Sequence, residues 1–214
     1  NDNPDVTSPE LLRITMIDDY NIQLFFNETI DSISAMQTDN YIVDNNVGNP
    51  ISVDLIGYDY QSLILGFENE FQSNIIYNLE ITSGVFDCAG NEIFDKNLAR
   101  FAIPSLVEEN DLVINEILFN PFPDGFDFIE IYNRSEKTID LKNILLTSHD
   151  FEDLDDFTIE YLMEEGFLIF PGEYVILTEN PNSVKEQYYT SNPDGFIMVE
   201  IDKIKESKKQ RYIK

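Results

Sequence analysis

The residues able to do chemistry in this chain are, with few exceptions, carboxylates. Forty-one Asp and Glu stand against 13 Lys and Arg, a formal charge of −28, with one cysteine and one histidine in 214 residues. Asp150, Glu152, Asp153, Asp155 and Asp156 crowd together, and hard cations such as calcium take several carboxylate oxygens. The EF-hand order fails, because Leu154 and Asp155 stand where a third ligand and a glycine belong. A solvated acidic loop without metal is therefore expected, with Asp150, Asp153, Asp155 and Asp156 as the residues calcium would use. Glu116 and Glu130 lie on expected strands, and glycoside hydrolysis uses two acids about 5–10 Å apart. In so acidic a chain such a pair is uninformative, and strand acids bonded to backbone are the simpler reading.

Cys88 has no partner for an internal disulfide, and it follows Asp87 in a turn with no neighbouring cation to activate it. It reads as a partly buried thiol. His149 has no nucleophile to serve. No catalytic residue, no cofactor and no enzyme activity are expected. Phe119, Phe122, Phe126 and Phe128 interleave with two prolines and Gly125. A loop that presents aromatics can contact a glycan or a partner protein, so these four are the candidate binding residues.

The charge narrows the partners. Six of the 13 bases fall in residues 203–214, leaving seven bases against forty acids, −33, in residues 1–202. Such a body repels phosphate, so nucleic acid and anionic membranes are not expected as partners. No apolar run approaches the roughly 18 residues of a membrane span. The polar start Asn1-Asp2-Asn3-Pro4-Asp5, without Met, reads as a mature terminus behind a removed signal segment. That points to an exported protein, extracellular or at the cell surface, with lipid anchoring through the removed segment.

Strands must position these residues. Leu12, Ile14 and Met16 alternate with Arg13, Thr15 and Ile17, and Ile22, Leu24 and Phe26 alternate with Gln23 and Phe25. Short apolar runs continue at 41–43, 51–58, 62–67, 75–82 and 100–103, separated by turn residues. Pro104–Asp111 is polar and follows a strand, so the expected layout is a polar segment at 1–8, a domain at 9–104 and a linker at 105–110. A second domain at 111–201 repeats the pattern, and 202–214 is a basic tail. Two helical turns are expected, at Ser32–Met36 and Asn182–Tyr188.

Two resemblances follow from particular motifs. Asn21–Glu28, Ser34-Ala35-Met36 before Asp39-Asn40-Tyr41, and Val85–Asn91 with its Asp87-Cys88-Ala89-Gly90-Asn91 turn resemble the bacterial Ig-like domains of surface proteins. Gly90 suits a positive-φ position there, with Asp87 and Asn91 bonding the loop. Val113–Pro121, Asp127–Asn133, Ile139-Asp140-Leu141 and Leu168–Leu177 resemble the lamin tail domain, an Ig-type sandwich found in secreted and surface proteins of bacteria. The fold expected is all-β: two Ig-type antiparallel β-sandwich domains in tandem. The basic text after Val199 departs from the family, so the second sandwich is expected to be incomplete at its C-terminus. The tail is then expected to leave the domain for an acidic surface, and self-association through the second domain to follow.

The function these features imply is a non-catalytic extracellular or cell-surface binding or spacer module with a protein or glycan ligand. The alternatives are an accessory targeting part of a surface hydrolase and a structural adhesin that acts by sheet-edge pairing.

Overall fold

The computed structural model describes residues 4–119, 121–142, 144–149, 157–190, 192–199 and 210–213. The chain divides into two compact units, Asn1–Pro104 and Ser105–Lys214.

Unit 1 runs β1 (Leu11–Met16), β2 (Asn21–Phe26), α1 (Ser32–Ala35), β3 (Tyr41–Val43), β4 (Ser52–Ile56), β5 (Ser62–Gly66), β6 (Tyr77–Ile81) and β7 (Leu98–Phe101). One sheet has the order β1-β2-β5-β4 and the other β3-β6-β7, with antiparallel pairing throughout. Ile22 and Leu24 of β2 meet Leu65 and Leu63 of β5, and all four are fully buried. The alternation of Ile22 and Leu24 with Asn21 and Gln23 is the half-buried strand pattern. Across the core, Phe71 lies edge-on to Phe67, Tyr77 and Phe101 at 5.2, 5.1 and 4.9 Å. Such edge-to-face pairs add about 0.5–1.5 kcal/mol each beyond area burial. Tyr41 is fully buried and its hydroxyl donates to the Ala35 carbonyl at 2.7 Å, which satisfies the one polar atom it brings inside.

β1 departs from simple alternation. A bulge between Leu11 and Arg13 turns Leu12 outward, 49% exposed, while Leu11 and Ile14 are buried. One extra residue in a strand reverses which parity faces the core, and so Leu12 does not share the inward face of Ile14 that their alternation implies.

Unit 2 runs β8 (Leu112–Leu118), β9 (Phe128–Asn133), β10 (Ile139–Asp140), β11 (Leu145–His149), β12 (Phe157–Tyr161), β13 (Leu168–Ile169), β14 (Tyr174–Thr178), α2 (Pro181–Gln187), β15 (Phe196–Met198) and β16 (Gln210–Ile213). A four-stranded sheet, β15-β14-β9-β8, lies with a three-stranded sheet, β12-β11-β16, and the pair β10-β13. Ile129, Ile131, Val175, Leu177 and Ile197 of the first sheet pack in one buried cluster with Leu141, Ile144, Leu146 and Ile169. The chain is all-β in both units, with Ig-type sheets that are antiparallel except at β15. That strand pairs parallel to β14, and the parallel return needs a crossover, which α2 supplies. Asn180 caps α2 by accepting from the Ser183 N–H at 3.1 Å, and Pro181 opens the helix. The helix therefore begins before the Asn182 start expected from sequence.

The C-terminal tail corrects an expectation. Gln210–Ile213 pairs antiparallel with Leu146–His149 of β11, so this part of the tail completes a sheet within unit 2 and does not leave the domain. Residues of the expected linker are also tied to unit 2. Lys137 Nζ donates to Glu108 at 2.6 Å and Asp111 at 2.9 Å, and the Ser105 N–H donates to the Thr138 carbonyl at 2.8 Å. No helix among the described residues is long and apolar enough to cross a membrane.

Candidate functional site

The outer face of the four-stranded sheet in unit 2 borders a hollow lined by polar and aromatic side chains. Because Ile129, Ile131, Val175 and Leu177 face the core, parity sends Glu130, Tyr132, Tyr174 and Ile176 to the other side. Tyr174 lies opposite Tyr132, and Ile176 opposite Glu130. The two tyrosine rings stack at 4.5 Å with 24° between planes. A bulge between Ile114 and Glu116 frees Asn115, whose Nδ2 donates to Glu130 Oε1 at 2.7 Å. Tyr189, Thr190, Asn192 and Gly195 lie beside them. Together Asn115, Glu130, Tyr174, Tyr189, Thr190 and Asn192 border a hollow of about 280 Å³.

Gly195 lets that wall close on the sheet. A Cβ there would strike the Asn192 side chain and come within 2.8 Å of the Tyr174 carbonyl. Ile176 donates to the Gly195 carbonyl at 2.8 Å and Asn192 Nδ2 to the Tyr174 carbonyl at 3.3 Å. The polar groups are thus held by strands and by a tied wall, the arrangement of a preformed binding site.

Of the four expected binding aromatics, Phe122 is 62% and Phe119 39% exposed, Phe126 is half-buried, and Phe128 is 5% exposed. Phe128 is corrected. Strand parity sends it to the outer face, but Tyr188, just past α2, packs edge-on against it at 5.7 Å and withdraws the ring from solvent. Phe122 stacks on the same Tyr188 at 5.6 Å. Glu116 and Glu130 are direct cross-strand partners, but Glu116 is not among the residues that line the hollow. The expected calcium residues Asp150, Asp153, Asp155 and Asp156 lie outside the described residues. His149 falls in β11, paired with Phe157 and Gln210.

A second hollow, about 440 Å³, lies in unit 1 and is bordered by Asp5, Glu28, Thr29, Gln61, Asp87 and Cys88. Asp5, Glu28 and Asp87 each bring a carboxylate oxygen within 4.8 Å of the others. Burial, and after it the charges of Asp5, Asp87 and Glu10, push the Glu28 carboxyl above its usual range. Asp87 is 3% exposed. Burial alone would raise its pKa, but bonds from the Asn91 side chain and from the backbone of Asn91, Gly90 and Ala89 outweigh that and hold it low. Asp87 Oδ1 accepts from the N–H groups of Ala89 and Asn91 at 2.8 and 2.7 Å, and Oδ2 from Asn91 Nδ2 at 2.7 Å. With both its oxygens engaged in the turn, Asp87 is a poor cation ligand. Gly90 has φ +93, the left-handed position its place in the turn implies. Cys88 is exposed, which corrects the expectation of a partly buried thiol: the Asp87 loop turns it outward.

Residues 4–102 match the family model of the bacterial Ig-like domain, and residues 108–206 that of the lamin tail domain. The chain is a bacterial Ig-like domain followed by a lamin tail domain. No curated protein matches it. Among solved structures, the S-layer protein rSbsC is 16% identical over 78% of this chain, with a TM-score of 0.40. Domains 1–6 of the surface layer protein SbsC are 17% identical over 78%, with a TM-score of 0.38. The N-terminal part of the bacterial S-layer protein SbsC is 14% identical over 78%, with a TM-score of 0.40. This chain spans 19% of each of the first two and 45% of the third.

The groove in the lamin tail domain was not legible in the aromatic loop. Its polar residues are far apart in sequence and meet only through the β8–β9–β14 register. The one sequence signal was the alternation around Ile129 and Ile131, which sets Glu130 and Tyr132 outward.

Proposed function

We propose that the chain is a non-catalytic module displayed outside a bacterial cell, in which the Ig-like domain acts as a spacer and the lamin tail domain as a binding surface. The tandem of these two families carries this reading. Each domain closes its own apolar core, so each can stand outside the cell as a folded unit. The groove beside Tyr174 supports the binding half of the reading. It offers fixed donors, acceptors and aromatic surface, and Glu130 is its one acid among the described lining residues. Two-acid hydrolysis instead needs a second carboxyl about 5–10 Å away across the substrate. Attachment to the surface through a lipid is a finer form of the same proposal.

Protease treatment of intact host cells tests the display. A tagged chain expressed from its own gene should be digested on intact cells while a cytosolic control survives. A chain protected until the cells are lysed would overturn the reading.

A further inference from the structure

The groove of the lamin tail domain has the chemistry of a sugar site, and we infer that it holds one uncharged pyranose ring of a glycan. The inference rests on the binding-module reading and names the ligand class for it. Its size is the first reason. At about 280 Å³ the hollow falls just below the roughly 300–1,000 Å³ typical of small-molecule sites, which suits a single ring.

The rings come second. Tyr174 is 41% and Tyr189 95% exposed. Tyr132 stacks against Tyr174 and fixes its plane, so an aromatic surface stands ready at the groove without loss of side-chain freedom. The electron-rich face of an aromatic ring attracts positively polarised hydrogens, and a pyranose presents a face of C–H groups.

The polar set is third. A ring with vicinal hydroxyls needs planar groups that donate and accept side by side. Asn115 and Glu130 are joined by one bond that uses one of the two amide hydrogens and one of the two carboxylate oxygens. The amide carbonyl and the other oxygen thus stand outside that bond. Thr190 and Asn192 also line the hollow: the Thr190 hydroxyl oxygen accepts from the Asn192 N–H at 3.1 Å and keeps its own O–H to donate, and the Asn192 amide, tied through Nδ2 to the Tyr174 carbonyl, offers its oxygen.

Charge decides between sugars. Glu130 is in the groove, Glu116 faces it across the strand pair, and the chain carries −28 overall. Sialic acids, uronic acids and phosphorylated sugars are repelled, while neutral hexoses and N-acetylhexosamines are not.

The test is a titration of the uniformly 15N-labelled full chain followed by amide chemical shifts. The probes are methyl β-D-glucopyranoside, methyl β-D-galactopyranoside and N-acetylglucosamine, with N-acetylneuraminic acid as the charged comparison. At least one neutral probe should shift the amides of Asn115, Glu130, Tyr174, Tyr189, Thr190, Asn192 and Gly195 saturably, with a millimolar Kd, and N-acetylneuraminate should not. Tyr174→Ala and Glu130→Gln should each weaken binding about tenfold or more. Glu130→Gln keeps the shape of the side chain, so it guards against a fold defect in the alanine variant. Phe94→Ala, which removes an 82% exposed ring of the Ig-like domain, should leave binding unchanged. The inference is overturned if no neutral probe shifts these amides at about 50 mM, far above a millimolar Kd. It is equally overturned if the shifts fall elsewhere or if folded Glu130→Gln binds as the parent does. The assay uses purified protein, so its failure would leave surface display untouched, and failed display would leave the sugar site untouched.

Discussion

Replacing Asp87 with alanine sets two effects of different size against each other. The loss is three hydrogen bonds to one buried carboxylate, from the Ala89 and Asn91 N–H groups and Asn91 Nδ2, all at 2.7–2.8 Å. Bonds to a charged acceptor contribute about 1.5–3 kcal/mol each. Ala89 is exposed and Asn91 half-buried, so water replaces part of each, and about 1 kcal/mol per bond is appropriate. The gain is relief of Glu28, whose carboxylate lies within 4.8 Å of Asp87. At that range two charges in a water-like dielectric repel by about 1 kcal/mol. The bonds win, with a net loss near 2 kcal/mol. For a domain of this size that lowers Tm by roughly 8–16 °C. Calorimetry of the full chain should show the unit 1 transition falling by that amount at pH 7 while the unit 2 transition stays in place. Because the Asp87 pKa is held below its ordinary 3.8, its stabilisation is present above 3.8 and lost as pH falls through the lower folded value. Parent and variant should therefore converge in strong acid. A variant Tm within about 3 °C of the parent at pH 7, under about 1 kcal/mol, would refute this account of the turn.

Glu28 carries the opposite sign. Its folded pKa is raised above the ordinary 4.5, so the folded state takes up its proton more readily than the unfolded state and gains stability as pH falls through the raised value toward 4.5. Glu28→Gln should stabilise unit 1 at pH 7 by about 0.5–1 kcal/mol, a Tm rise of roughly 2–8 °C, and remove that acid-side gain; a variant less stable than the parent would contradict this. Millimolar calcium should shift the unit 1 Tm by less than about 2 °C, since both Asp87 oxygens are occupied by the turn. A larger shift that Glu28→Gln abolishes would show the three acids ligating. Gly195→Ala should cost unit 2 about 1–3 kcal/mol in urea unfolding, because its Cβ meets the Asn192 side chain. Ending the chain at Ile201 removes β16 from β11 and bares a strand edge. Light scattering should find the shortened chain associating more than the full one.

Local rules worked where neighbours in sequence are neighbours in space. The strand β2 was legible because Ile22 and Leu24 obey simple alternation, and the Asp87–Asn91 turn because its bonds span four residues. The bulge at Leu12 was not legible, since an extra residue leaves no mark on polarity. Phe128 misled for a different reason: it sits on the outward parity, yet Tyr188, sixty residues on, packs against it. β16 was missed because Gln210–Ile213 lies in a basic segment and has two apolar residues of its own, Tyr212 and Ile213, and its pairing with β11 makes it a strand. The groove needed the register of three strands and the closeness of Gly195 to Asn192, neither of which a single segment encodes.

The central claim is that this chain binds and does not convert. It is tested most directly by incubating the full chain with an array of glycans and proteins from the bacterial envelope and its surroundings, then analysing each captured ligand by mass spectrometry. Saturable capture of a ligand recovered chemically unchanged, and lost with Tyr174→Ala, is the result predicted. A ligand cleaved or modified by catalytic amounts of the chain, or capture indifferent to Tyr174→Ala, would contradict it.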